Sequence, residues 1–78
     1  MKLRIRYFAM FGEAAGTDPG EMEFHGRRVA DLRKVITEKY PEFERRGMLV
    51  AVNEKYADDS LELVDGDEVA VFPPVSGG

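Results

Sequence analysis

Cysteine is absent from all 78 residues of the chain. The chain therefore has no disulfide framework, no thiolate metal site and no cysteine nucleophile. Any sulfur chemistry in which it takes part must use sulfur supplied from outside. A cysteine-free chain suits a reducing compartment, and we expect a cytoplasmic location.

Long apolar runs and an excess of positive charge are also missing. The opening stretch MKLRIRYFAMFGEAAG alternates charged and apolar residues, whereas a signal peptide needs an unbroken apolar run. No stretch approaches the ~20 apolar residues that span a bilayer. The net charge of -4 argues against nucleic-acid binding, which basic surfaces usually serve. We expect neither a membrane nor a nucleic acid as partner.

Residues for side-chain catalysis and for metal binding are scarce. His25 is the single histidine, and no serine, histidine and acid constellation accompanies it. The acidic residues between Asp58 and Glu68 lack the spacing of a calcium-binding loop. We interpret them as a solvated turn region and predict no metal site.

Alternating hydrophobicity predicts several strands in one small domain. In 2–9, Leu3, Ile5 and Tyr7 fall on one face, and in 21–26 Met22 and Phe24 point inward. The later strands are predicted at 48–56, with Val50 and Val52 inward, in a short segment before an Asp65–Gly66 turn, and at Glu68–Phe72.

Between the second and third strands the apolar period changes to three and four. This predicts a helix ending at Tyr40, since Pro41 disfavours helical geometry before it. Its apolar stripe consists of Val29, Leu32, Ile36 and Tyr40, widened by Val35.

The order of elements predicts an α+β fold, with one main helix across one face of a mixed four- to five-stranded sheet. This arrangement resembles the β-grasp fold of ubiquitin, whose first and last strands lie side by side at the sheet centre.

The stretch EVAVF places Val69 and Val71 toward the helix and Phe72 on the opposite face of the sheet. We expect Phe72 to form a small apolar patch with Ala51, Ala70 and Leu61 or Leu63. Such patches often mark partner sites. The alternative is an isolated surface aromatic, which needs no explanation.

After Phe72 the chain continues PPVSGG. Pro73 and Pro74 fix φ and remove two backbone donors, so a stiff, extended exit from the sheet is predicted. We expect a domain at 1–74 and a flexible tail at 75–78, which together with the prolines reaches about 20 Å. Its one reactive group is the α-carboxylate of Gly78. The alternative is an ordinary frayed terminus.

The segments MKLRIRYFAMFGEAAG, VADLRKVITEKYPEF and DGDEVAVFPPVSGG resemble successive segments of the small, sulfur-carrying subunits of molybdopterin synthase. The resemblance covers the whole chain, and the order of acidic turn, strand, Pro-Pro and Gly-Gly is its most specific part. Two positions depart from that family's pattern. Gly12 stands where arginine is usual, and Arg28 stands where threonine or serine usually begins the helix.

The resemblance implies a specific chemistry. An E1-like enzyme adenylates Gly78 with ATP and magnesium, and sulfur from a donor then gives a glycine thiocarboxylate. The loaded tail enters the large synthase subunit and donates sulfur to the pterin precursor of the molybdenum cofactor, in a complex of two small and two large subunits. No permanent cofactor and no catalytic side chain of its own are implied. The expected partner-binding residues are Phe72, Pro73, Pro74, Val75, Ser76 and Gly77.

Three other functions remain compatible with the sequence. The chain could be a ubiquitin-like modifier conjugated to proteins through Gly78. It could carry sulfur for another pathway, such as thiamine biosynthesis. It could also be a plain interaction module without chemistry at Gly78.

Overall fold

The computed structural model describes residues 1–9, 11–12, 20–45 and 47–74. These form a five-stranded mixed sheet in which β1 and β5 are parallel neighbours and the other neighbouring pairs are antiparallel. The strand order is β2-β1-β5-β3-β4. The predicted α+β, β-grasp arrangement is confirmed. The elements are β1 Lys2–Tyr7, β2 Gly20–Glu23, α1 Val29–Lys39, α2 Pro41–Arg45, β3 Leu49–Val52, β4 Lys55–Tyr56 and β5 Glu68–Phe72.

The core lies between α1 and one face of the sheet. The helix contributes Val29, Leu32 and Ile36, each at most 1% exposed, and the sheet contributes the inward residues of β1, β3 and β5. Val35 is 43% exposed, so the prediction that it widens the buried stripe is wrong. A step of one residue turns a helical side chain by about 100°, which carries Val35 away from the face that buries Ile36.

The start of α1 has no side-chain cap hydrogen bond from Arg28. Asp31 compensates in the first turn, where its carboxylate accepts the backbone N–H groups of Arg27 and Arg28, each at 3.0 Å. These two hydrogen bonds hold the pKa of Asp31 below its ordinary value. The helix ends at Lys39, close to the predicted end at Tyr40.

The predicted strand at 48–56 is instead a hairpin. β3 ends at Val52 and β4 begins at Lys55, with Asn53 and Glu54 between them at φ 50° and 70°. Two central residues with positive φ match the right-handed twist of paired strands, which favours this tight turn. Glu54 is not a usual turn residue, and the alternation around it concealed the break.

Three smaller differences concern element boundaries. The strand predicted at 21–26 ends at Glu23, although Phe24 is buried as expected. The short strand predicted before Asp65 is reduced to a bridge between Arg28 and Glu62. The short helix α2 follows α1 directly, because proline is well suited to a first helical position even where it ends the preceding helix.

Candidate functional site

The strand β5 lies at the centre of the sheet and sets the geometry of the site. Val69 is opposite Ile5 on one side and Val52 on the other, so β5 is hydrogen-bonded along both edges. Val69 and Val71 are 2% and 0% exposed beneath α1. Strand alternation places Phe72 on the opposite, outer face, as predicted, and the side chain is half-buried there.

Other apolar side chains join Phe72 on the outer face. Leu49 is its direct partner across β3 and β5, and the ring of Tyr56 lies 5.8 Å from the ring of Phe72. The backbone N–H of Phe8 donates to the carbonyl of Val71 at 3.0 Å, which continues the β1–β5 pairing to Phe8. Phe8 is 41% and Tyr56 78% exposed. We call Phe8, Leu49, Tyr56 and Phe72 the aromatic patch.

The structure confirms part of the apolar patch predicted from the sequence. Ala51 and Ala70 are direct partners on the same face as Phe72. Leu63 is 4% exposed and belongs to the core, so its inclusion is wrong. Its backbone N–H donates to the carbonyl of Arg27 at 2.8 Å, which holds this segment near the start of α1. Leu61 is exposed and lines a separate groove beyond β4.

The chain leaves the sheet through Pro73, half-buried, and Pro74, exposed. The Pro74 ring packs next to Gly47, where an added Cβ would lie 3.3 Å from its Cγ. Gly47 also has a φ of +75°, which glycine adopts without strain. The remaining predicted site residues, Val75, Ser76, Gly77 and Gly78, lie outside the described residues.

The position of Gly12, which departs from the family pattern, is described in part. Gly12 is buried, and its N–H donates to the carbonyls of Phe8 at 3.3 Å and Ala9 at 2.9 Å.

The start of β5 is held by a buried carboxylate. Asp67 is 7% exposed and accepts hydrogen bonds from the side-chain amide of Asn53 and the backbone N–H of Val64, both at 2.9 Å. The Asn53 side-chain oxygen accepts the N–H of Glu68 at 3.1 Å. Interpreting the acidic run as solvated is therefore wrong for Asp67, although Asp58, Asp59, Glu62, Asp65 and Glu68 are exposed.

An aromatic cluster supports the end of β1 from the inner face. The ring of Tyr7 lies 5.9 Å from Tyr40 and 6.0 Å from Phe43, and Phe43 stacks on Phe11 at 3.9 Å. Burial raises the pKa of the Tyr7 hydroxyl to about 12, and the nearby Tyr40 adds to the shift. This packing holds the inner face of β1 at its end.

The described residues contain no group of three histidine, aspartate or glutamate side chains placed to hold a metal ion. His25 is exposed and lies two residues beyond the end of β2. None of the helices described is long and apolar enough to cross a membrane.

Comparison with known proteins places this geometry in context. The model of the ThiS family matches residues 5–78. Curated relatives named molybdopterin synthase sulfur carrier subunit include one from Aedes aegypti, 46% identical over 100% of this chain and 90% of that protein. Another, from Chlamydomonas reinhardtii, is 35% identical over the full length of both chains.

Solved structures agree with the fold. A putative molybdopterin converting factor subunit 1 from Pyrococcus furiosus is 39% identical, with a TM-score of 0.81 over 95% of this chain and 98% of that chain. In a complex of subunits 1 and 2 of the molybdopterin-converting factor from Helicobacter pylori, the matching chain is 26% identical, with a TM-score of 0.68 over the full length of both chains. Small archaeal modifier protein 1 from Methanosarcina acetivorans is 26% identical, with a TM-score of 0.78 over 99% of this chain and 96% of that chain.

Proposed function

This chain belongs to the ThiS family, and we propose that it is the sulfur-carrier subunit of a molybdopterin synthase. The observation that carries the proposal is full-length similarity to relatives bearing that name, from the first strand through residue 78. The geometry is consistent with it, because β5 presents Phe72, Pro73 and Pro74 from the middle of a rigid sheet.

The proposed chemistry takes place at the α-carboxylate of Gly78. With a reference pKa of about 3.3–3.7 it is ionised at neutral pH, so it is a poor electrophile until it is activated. An E1-like enzyme with ATP and magnesium supplies the activation: a carboxylate oxygen bonds to the α-phosphorus, and pyrophosphate leaves. Hydrosulfide from a sulfide-level donor then bonds to the carbonyl carbon, the bond from that carbon to the AMP oxygen breaks and AMP leaves, which gives the thiocarboxylate without a change of oxidation state.

The thiocarboxylate is then delivered to the large subunit, where its sulfur passes to the pterin precursor. A large subunit as partner is supported by the Helicobacter pylori complex of subunits 1 and 2. We propose that the aromatic patch docks on that subunit while Val75, Ser76 and Gly77 reach its active site. Pro73 and Pro74 stiffen the exit, since each lacks a backbone donor and has a fixed φ. Two copies of each subunit form the proposed complex.

The proposal is tested by measuring the intact mass of the protein. The purified chain is incubated with the E1-like enzyme of the same organism, ATP, magnesium and a sulfur source. We expect one exchange of oxygen for sulfur, located at Gly78 by fragmentation. Omitting ATP is the control. An unchanged mass with an enzyme that adenylates another carrier would contradict the proposal.

A second candidate function is protein modification, favoured by the similarity to small archaeal modifier protein 1. The same activated Gly78 would then form an amide with a lysine of another protein. Expression of a tagged form in the native host distinguishes the two functions. Conjugates that disappear when Gly78 is deleted would establish modification, whereas a single unconjugated band would exclude it under those conditions.

A further inference from the structure

A concave site lies on the outer face of the sheet next to the aromatic patch. Its floor is formed by Ala51 and Ala70, which face each other directly across β3 and β5. Phe8 and four charged residues, Arg4, Arg6, Glu54 and Glu68, also line it. The volume is ≈ 260 Å³. We call this site the alanine socket.

The packing of the domain does not account for small residues at the floor of the socket. On the inner face of the same strands the opposed residues are valines, Val50 with Val71 and Val52 with Val69, which fill the space beneath α1. None of the helices described covers the outer face, although Ala51 is itself only 9% exposed and Ala70 is half-buried. The two alanines therefore leave room that the folded domain does not use.

The floor of the socket favours an apolar side chain, because it consists of two methyl groups. Phe8 also lines the socket, together with the charged residues Arg4, Arg6, Glu54 and Glu68. An apolar cavity of about 150 Å³ holds a benzene ring. The socket, at ≈ 260 Å³, therefore has room for an aromatic or branched aliphatic side chain.

The rim of the socket provides a cation for a neighbouring anion. Arg4 lies 4.0 Å from Glu68, in an exposed ion pair. Arg6, in contrast, has no carboxylate within that distance among the described residues, and its guanidinium lies 6.0 Å from the centre of the Phe8 ring. Arg6 can therefore pair with a carboxylate of a docking partner, in a site whose lining also contains Glu54 and Glu68.

We propose that the large subunit inserts one large apolar side chain into the alanine socket and places a carboxylate against Arg6. This inference rests on the proposed function and extends its docking surface. Ala70 precedes Phe72 by two residues on β5, so a partner seated on the aromatic patch also covers the socket. The socket then discriminates among partners. A partner that lacks the bulky side chain leaves a void in the socket, and a partner that lacks the carboxylate leaves Arg6 unpaired.

The apolar half of the proposal is tested by filling the socket with Ala70→Leu. Calorimetric titration with the purified large subunit of the same organism should show an affinity reduced by about tenfold or more. Ala30→Leu, the same change at an exposed position of α1, is the matched control. We expect it to bind within about twofold of wild type. Thermal unfolding of both variants verifies that they are folded.

The charged half is tested by Arg6→Glu against Lys34→Glu, an exposed residue of α1. Each variant changes the formal net charge from -4 to -6, since +1 becomes -1. We expect Arg6→Glu alone to lose about tenfold in affinity and to reduce the salt dependence of binding. This variant also keeps the proposal testable if Ala70→Leu fails to fold.

The outcomes separate the socket from the function on which it rests. Wild-type binding together with unchanged affinity of folded Ala70→Leu overturns the socket and leaves the proposed function intact. Equal loss in Arg6→Glu and Lys34→Glu overturns the role of Arg6. If the wild-type chain does not bind an active large subunit, both the socket and the proposed function are wrong.

Discussion

Replacing Phe72 by alanine separates docking from folding. The ring lies on the outer face, half-buried and 5.8 Å from the ring of Tyr56, while its neighbour Val71 is fully buried on the inner face. Phe72→Ala therefore removes part of the aromatic patch and leaves the core intact. We expect a large loss of affinity for the large subunit and a small loss of stability.

The structure sets the two magnitudes. Truncating a fully buried phenylalanine costs about 3–5 kcal/mol, and Phe43, at 1% exposed, belongs to that class. Phe72 is only half-buried, and its main aromatic contact is with Tyr56. An aromatic pair of this kind contributes about 0.5–1.5 kcal/mol. We therefore expect Phe72→Ala to lower the free energy of unfolding by about 1 kcal/mol. As an anchor buried in a complex, Phe72 should contribute about 1–3 kcal/mol, or roughly 5- to 150-fold in Kd.

Two measurements on the same protein samples give the comparison. Calorimetric titration against the large subunit gives Kd, and urea unfolding gives the free energy of unfolding. Val64→Ala is the control for removing an exposed apolar side chain elsewhere, since Val64 is 61% exposed beyond β4. Phe43→Ala is the opposite control, because it should lose stability while its folded fraction binds normally.

Wild-type affinity in folded Phe72→Ala would refute the assignment of the aromatic patch as the docking surface. An equal loss of unfolding free energy in Phe72→Ala and Phe43→Ala would refute the claim that Phe72 contributes little to folding. It would mean that the outer face is packed as tightly as the core, although Phe72 is only half-buried.

Three further predictions concern the tip, the turn before β5 and the inner aromatic cluster. Adding one alanine after Gly78 should abolish the mass change with the activating enzyme, because the acid becomes an amide, while thermal stability stays near wild type. Asp67→Ala should cost about 1–3 kcal/mol in urea unfolding, since the amides of Asn53 and Val64 lose their buried acceptor. The raised pKa of Tyr7, about 12 against 10.0, stabilises the fold fully below pH 10, and this contribution is lost between pH 10 and 12. Tyr7→Phe should lack this component of the alkaline loss in unfolding titrations; identical pH profiles would contradict it.

The elements with long, unbroken periodicity could be predicted from the sequence. β1, α1 and β5 follow their apolar patterns because each buries one continuous face against the same core. The β3–β4 hairpin could not be predicted in this way. Its turn relies on Asn53 and Glu54 at positive φ, and no glycine marks it. The pairing of β3 with β5 then imposes the hairpin on a segment whose own alternation continues through it.

The residues of the candidate site also differ in whether the sequence predicts their position. The outward position of Phe72 follows from alternation with Val71 alone. Phe8 continues the outer face of β1, and the alternation of the β1 residues predicts that position by the same rule. The contacts of Leu49 and Tyr56 with Phe72 could not be predicted from the sequence. They depend on the register of β3 with β5 and on the hairpin.

The composition of the acidic turn predicts exposed side chains, but the structure shows that one of them is buried. Six carboxylates in a short stretch suggest a solvated loop, and five of them are exposed. The sixth, Asp67, bonds to Asn53, and the Asn53 side chain in turn accepts the N–H of Glu68. The hairpin turn that the sequence concealed is thus bonded to the first residue of β5. Asn53 tolerates positive φ and carries an amide with both a donor and an acceptor, so one residue both makes the turn and fixes the strand that leads to Phe72.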